Sequence, residues 1–333
     1  MTSTESFGDI PVDDSDEPSM LGASDTIEAP KGKRKRQKVR RQRPPKDATG
    51  ADGHIEYIYE PHVAVVPPLR TYFASLWERR AFLVALARSD IRGSRSSTTL
   101  GSLWALLDPL FMAAIYFFLF TIIRSGGGRS ADFIPLIING ILLFQVVGGA
   151  ITQGGNSVRS GKNLMLNSTF PRALLPLSTI YKLIIGAIPA IPIILLAKLI
   201  FADWNLTEAY SAQLLWFFPL FIIMIVLAVG FALIISTLVV FFNDVSNLMQ
   251  YVSRILFFST PIVYPWGLIG DTSVFNYVRW QPLFGVYVNY QNIITDIRPD
   301  FAMMATSAVW AVVLLVFGFW LFLRNERKFA SRI

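Results

Sequence analysis

Residues 152–163, TQGGNSVRSGKN, gather glycines, hydroxyls and a lysine, the residue types with which a backbone loop cradles phosphate. Such a loop has the spacing G-x-x-x-x-G-K-[ST] between a strand and a helix. Its N–H groups curl round the phosphates, the lysine reaches them and the hydroxyl takes Mg²⁺. Here Gly161-Lys162 has Asn156 where the first glycine should stand, Gly155 lies one residue too far back, and Asn163 fills the hydroxyl position. No nucleotide site is expected there. Cysteine is absent and the only histidines, His54 and His62, lie in a polar tail, so neither a thiolate metal site nor a histidine acid–base pair is expected. HExxH, GxSxG and kinase motifs are missing as well.

The remaining ionisable candidates sit inside apolar runs. A charge at mid-bilayer is costly, so each needs a partner, water or a functional reason. Asp108 falls in the first turns of one run, Arg254 a couple of turns into another, where a wet interior is expected. Lys182 and Lys198 fall near the ends of a third, from which they can snorkel to an interface. No two carboxylates pair in a way that would support membrane-embedded catalysis. Aromatic spacing is more informative: Trp104, Phe111 and Phe118 repeat every seven residues, as do Tyr251 and Phe258. Such a stripe is by default helix-packing core. The sharper alternative is a channel lining, because flat aromatic faces bind the C–H faces of sugar rings without holding one register.

The elements that position these residues are membrane helices. Of 333 residues 53% are hydrophobic, 14% aromatic and only 16% charged, with mean hydropathy +0.47, against about 25% charged in soluble domains. The apolar residues form runs long enough to cross a ~30 Å hydrocarbon layer. Six spans are expected near 103–123, 133–153, 175–201, 213–241, 247–267 and 302–323, the third kinked by Pro189 and Pro192. Arg159, Lys162 and Arg172 between spans two and three, and RNERKFASR at 324–332 after span six, place both termini in the cytoplasm by the positive-inside rule. Arg124 and Arg129 on an outer loop are a mild exception. No cleavable signal peptide is expected, and the sequons at Asn167 and Asn205 look incidental.

Three further segments frame the spans. Residues 1–67 read as a disordered charged tail: acid-rich to residue 28, then KGKRKRQKVRRQRPPK at 31–46 with ten Lys and Arg, part of a net charge of +7. Beside a membrane domain that basic run is expected on anionic lipid rather than nucleic acid. Residues 68–95 carry Leu69, Phe73, Leu76, Leu83 and Leu86 at helical spacing, with Trp77 and interrupting charges, and read as an amphipathic helix in the interface; a soluble helix on a partner is the alternative. Residues 270–300, broken by Pro282 and Gly285, read as re-entrant or interfacial helices on the outer face, with Phe275, Tyr277, Trp280, Tyr287 and Tyr290 as a candidate aromatic belt. The fold class is an all-α polytopic membrane protein, its six-span domain covering 96–333.

RSDIRGSRSSTTLGSLWALLDPLF at 88–111, TFPRALLPLSTI at 169–180, NDVSNLMQYVSRILFFSTPIVYP at 243–265 and the terminal ERKFASRI together resemble ABC-2-type polysaccharide exporters, the O-antigen and teichoic-acid exporter family. Arg88, Asp90, Ile91, Leu100, Gly101, Leu103, Trp104, Leu107, Pro109 and Leu110 match the family's pattern at the start of span one. Asp108, Asn243 and Ser102 depart from it, standing where Gln, Arg and Pro are common, and 92–98 is richer in Ser and Thr. The resemblance runs from about residue 68 to the end. It implies a permease that forms a homodimeric channel, driven by two copies of a separate ATPase subunit that binds ATP and Mg²⁺, with no cofactor in this chain. The implied substrate is a glycan on a polyprenyl diphosphate, crossing the plasma (inner) membrane, with a cell-wall galactan as the closest guess.

In that frame Trp104, Phe111, Phe118, Tyr251 and Phe258 would line the channel. Arg88, Arg92, Arg95, Arg159 and Lys162 would receive the carrier headgroup or form the gate, and Phe170, Pro171 and Arg172 would couple to the ATPase. Topogenic charge alone is the competing account of Arg159, Lys162 and Arg172. Rival functions are a small-molecule ABC-2 exporter, which usually has a large outer domain where this chain has only RSGGGRSAD between spans one and two, and a membrane glycosyltransferase or ligase. The latter would need catalytic groups on an outer loop that offers only Asp271, Asp296 and Asp300 as carboxylates. An ion-coupled flippase would want more buried carboxylates than Asp108 and Asp244.

Overall fold

The computed structural model describes residues 69–95, 133–201, 212–270 and 275–332, with single positions at 103, 104, 107, 110–112, 114, 115, 118, 204 and 273. The charged tail at 1–67, Asp108, Arg124, Arg129, Asp271, most of the expected first span and the side chain of Arg95 lie outside the described residues. Among the described residues there is no strand, and four helical stretches are long and apolar enough to cross a membrane: Pro135–Asn167, Leu174–Ile200, Ala212–Phe241 and Phe301–Phe329. They correspond to the expected spans two, three, four and six.

The first stretch is α3 (Phe133–Gly149), a π-helical turn (Ala150–Gly154), α4 (Gly155–Ser160) and α5 (Lys162–Asn167). The second is α6 (Leu174–Ala187) followed by α7 (Ala190–Phe201). The break between them falls at Ile188-Pro189, where proline has no N–H to give the preceding turn. Pro192 sits in the first turn of α7, where an N–H would have had no helical partner. A 3₁₀ turn (Ala212–Trp216) leads into α8 (Phe217–Phe241), then comes α9 (Val245–Ser259). The expected fifth span, 247–267, is not one helix. It stops after fifteen residues at Ser259, and Thr260 turns extended (φ −94, ψ 142), as a residue before proline tends to. The outer segment contains α10 (Phe275–Val278) and α11 (Phe284–Ile294), and α12 (Phe301–Arg332) closes the chain. Asp300 caps α12, its Oδ1 accepting from the N–H groups of Ala302 (2.9 Å) and Met303 (3.1 Å). With 32 residues, α12 is about 48 Å long at 1.5 Å per residue and outruns the hydrocarbon layer.

Helices α8 and α12 cross at small residues. A Cβ on Gly230 would lie 2.8 Å from the carbonyl carbon of Leu314, and one on Gly318 would lie 3.0 Å from the Gly230 oxygen. In lipid, where apolar burial alone does not hold helices together, such close approach supplies the packing. The other side of α8 receives the π-turn: a Cβ on Gly154 would sit 2.8 Å from the Cβ of Ala232. The expected interfacial helix is α1 (Leu69–Glu78) and α2 (Arg80–Arg95), nearly continuous through Arg79. Tyr72, Leu76 and Leu86 pack on Met165, Ala173 and Phe322 at one end of the bundle, while Phe73 and Trp77 stay exposed.

The outer segment corrects the aromatic belt in part. Tyr277 and Trp280 are exposed as a belt requires, but Tyr287 and Tyr290 are buried core residues on α11, every residue of which is buried. A Cβ on Gly285 would collide with the Met303 carbonyl oxygen, whereas one on Gly186 would meet nothing within 4 Å. Gly285→Ala should therefore lower stability by about 3 kcal/mol or more, while Gly186→Ala should be neutral or gain up to about 1 kcal/mol. Thermal unfolding of the detergent-purified variants measures both.

Candidate functional site

The stretch that imitates a phosphate loop is helical and lines a cavity. Its glycines are packing contacts: Gly154 against α8, and Gly161 with a would-be Cβ 2.8 Å from the Leu175 side chain of α6. The cavity, about 650 Å³, lies between α2, the π-turn with α4 and α5, α6, and the first turns of α9. Thr152, Gln153, Asn156, Ser157, Ser160 and Asn163 face it from the π-turn, α4 and α5. Ser178, Thr179 and Lys182 face it from α6, Ser246 and Gln250 from α9, and Asp90 with Leu86 from α2. The π-turn widens the helix by one residue where this wall begins, a local device frequent at functional sites.

Four hydroxyls that line the cavity spend their protons on their own helices. Thr152 Oγ1 donates to the Gly148 carbonyl (2.9 Å), Ser157 to Gly154 (2.6 Å), Ser178 to Leu175 (2.8 Å) and Thr179 to Leu175 (3.2 Å). What each offers to the cavity is lone pairs. Lys182 is half-buried about 12 Å from the start of α6 by the helical rise, and among the described residues its ammonium has no ion-pair or hydrogen-bond partner. The chain thus places Asp90 and Lys182 with the TQGGNSVRSGKN stretch in one polar chamber. Lys182 was expected only to snorkel, and an unpaired intramembrane cation was the signal available for it. Among the described residues no group of three His, Cys, Asp or Glu comes together that could hold a metal ion.

The other expected cations lie elsewhere. Arg88, Arg92, Arg159 and Lys162 are exposed and do not line the chamber. The coupling candidates are engaged within the chain. Arg172 donates its backbone N–H to Glu326 Oε1 of α12 (2.7 Å) and its guanidinium to the Glu326 carbonyl. Phe170 packs its ring 5.4 Å from that of Phe82 on α2, next to a bond from Arg79 Nη1 to the Thr169 carbonyl (2.6 Å). Pro171 is half-buried between them. Burial, with the Glu326 carboxylate nearby, holds the Tyr72 hydroxyl of α1 above the usual phenol range, so it stays protonated. Residues 169–173 are tied to both the α1–α2 segment and α12.

The aromatic stripe is not core of this chain. Trp104, Phe111, Phe118, Tyr251 and Phe258 are between 40% and 67% exposed. On α9, Leu248, Tyr251, Ile255 and Phe258 form one exposed side, and Arg254 is exposed as well. Met249, Leu256 and Phe257 hold the opposite side against the core. The default reading of the stripe as packing within the chain does not hold.

At the end of the bundle where α7 meets α11 the expectation for Lys198 also fails. Its Nζ lies 3.0 Å from Asp296 Oδ1 and 3.4 Å from the Ile293 carbonyl, with side-chain exposures of 5% for Lys198 and 36% for Asp296. Tethering, not snorkelling, accounts for it. Asp296 has a left-handed backbone (φ 57) that asparagine also tolerates, so Asp296→Asn removes charge without altering the turn. It should cost about 1–2 kcal/mol by stranding a buried ammonium, and adding Lys198→Met should restore most of the loss in thermal unfolding. A snorkelling lysine would make Asp296→Asn silent.

No family model matches the chain. Among curated proteins it is similar to the O-antigen export system permease protein RfbA of Myxococcus xanthus, 23% identical over 264 residues, which is 78% of this chain and 97% of that protein. It is equally similar to the O-antigen export system permease protein RfbA of Klebsiella pneumoniae, 23% identical over 250 residues, 75% of this chain and 93% of that one. The resemblance to polysaccharide exporter permeases therefore extends across three quarters of the chain and nearly the whole of each relative. With four helices long and apolar enough to cross a bilayer, the chain is a membrane protein similar to transport permeases.

Proposed function

We propose that this chain is the permease subunit of an ABC transporter that exports a polysaccharide assembled on a polyprenyl diphosphate, from the cytoplasm across the plasma membrane. The observation that carries this reading is the match to O-antigen export permeases over nearly their full length. The exposed aromatic stripe supports it. Two copies facing each other through α9 and the stretch bearing Trp104, Phe111 and Phe118 would enclose a path lined by flat rings, on which sugar faces stack without one fixed register. The α2 end of the bundle is then cytoplasmic, with both termini.

The chain supplies the path and a separate ATPase, two copies per dimer with ATP and Mg²⁺, supplies the free energy. Residues 169–173 are the docking segment. Nucleotide-driven closure of the ATPases displaces them, and the Glu326, Phe82 and Arg79 contacts carry the displacement to α12 and α2 as one body. Arg88, Arg92, Arg159 and Lys162, exposed at this end, meet acidic surface of the ATPase or lipid headgroups, where guanidinium forks match phosphate geometry.

Depletion of the chain in its host should leave carrier-linked polymer inside the cell and strip it from the surface. Unchanged surface polymer, or ATP hydrolysis or sugar transfer by the purified chain alone, would refute the reading. Alanine at Trp104, Phe111 and Tyr251 together should cut export severalfold while folded protein is retained, because these rings are exposed in the chain. Equal loss of protein and export would return the stripe to packing.

A further inference from the structure

We propose that the polar chamber between α2, the π-turn and α6 is a binding site for a phosphorylated sugar, with Lys182 meeting the phosphate. The assignment of that ligand to the head of the exported lipid-linked glycan rests on the function proposed above. Three features of the chamber define the chemistry.

The charge comes first. Lys182 is half-buried on a helix that crosses the membrane, and no described residue pairs with its ammonium. A half-buried cation without a partner is costly unless an anion or water completes it. Second, the hydroxyls of Thr152, Ser157, Ser178 and Thr179 all donate back to helix carbonyls, so they offer the chamber lone pairs, beside the amides of Gln153, Asn156, Asn163 and Gln250, which both donate and accept. Its natural complement is a molecule rich in O–H donors. Asp90 adds an acceptor and disfavours a ligand that is anionic throughout. Third, a volume of about 650 Å³ falls within the range of about 300–1,000 Å³ usual for small-molecule sites. The wall is composed of amides and hydroxyls with three leucines and, among the described residues, no aromatic. It suits a polar head and not an acyl chain. One phosphate with several hydroxyls beside it answers all three features.

Two sources share this chemistry, a sugar on a polyprenyl diphosphate and the headgroup of an ordinary anionic phospholipid. The full-length chain in phosphatidylcholine nanodiscs separates them. Undecaprenyl diphosphate N-acetylglucosamine should bind saturably and shield Lys182 of the unaltered protein from an amine-reactive label, read by mass spectrometry, whereas phosphatidylglycerol at the same mole fraction should not. Lys182→Met should weaken binding about tenfold or more, Lys182→Arg should recover part of it, and Thr179→Val should weaken it without removing a charge. Absent shielding of Lys182, or unchanged affinity in folded Lys182→Met, overturns the site. Equal shielding by phosphatidylglycerol overturns the sugar assignment. Lys182-dependent sugar binding in a host whose surface polymer survives depletion of the chain would sink the export reading and leave the site standing.

Discussion

A peptide group at membrane depth has no water to fall back on, and every break in a helix must find its partners inside the protein. The chain interrupts its spans at several points, and the broken turn after Ser259 shows how it does so. Gln291 of α11 donates to the carbonyls of Pro261 (2.5 Å) and Tyr264 (2.8 Å) and accepts from the Trp266 N–H (2.9 Å). Asn292 accepts from the Trp266 indole (3.1 Å), and Gln281 donates to the Thr260 hydroxyl (2.7 Å). Asn289 holds the next corner, bonding both the carbonyl and the N–H of Asp300 (3.1 and 2.6 Å). The buried amides of α11 thus do for these turns what water does for a loop in solution. This is why a short helix so rich in Asn and Gln is buried along its whole length.

The same constraint governs the other end of the bundle by other means. Segment 169–173 leaves one span and enters the next, and its exposed backbone is taken up by side chains of distant elements: Arg79 on the Thr169 carbonyl, Glu326 on the Arg172 N–H. Those bonds fasten the segment to α1, α2 and α12 at once. A connection that only needed to be short would not need three anchors. In the export reading proposed above, a connection that must move its neighbours together would.

Four of the expected spans and the Pro189 break were legible because long apolar runs and proline act locally, through length and a missing donor. What escaped were features made by distant residues. Tyr287 and Tyr290 look like belt aromatics in a row of letters, and only the close seat of Gly285 against the α12 backbone draws them into the core. Lys198 reads as a snorkelling lysine until Asp296, ninety-eight residues on, stands 3.0 Å away. Arg172 reads as free basic charge because Glu326 lies far off in the chain. The chamber is the clearest case. Its polar residues are spread over α2, the π-turn, α6 and α9, and none forms a recognisable local motif. The one string that looked like chemistry, TQGGNSVRSGKN, suggested the wrong ligand cradle, yet it does line the polar space.

The chamber and the aromatic stripe meet on α9, and their chemistries divide along that helix. Ser246 and Gln250 of its first turns face the chamber, while Tyr251, Ile255 and Phe258 form its exposed apolar side. A hydroxyl-and-amide wall with a cation binds by directed bonds, which fix orientation and release slowly. In the export reading proposed above, the aromatic side would bind sugar faces by area, which tolerates displacement along the surface. A polymer that is captured by one end and then slides needs both, in that order. A single helix carrying the first kind of contact at its start and the second along its length can pass one to the other by a small rotation.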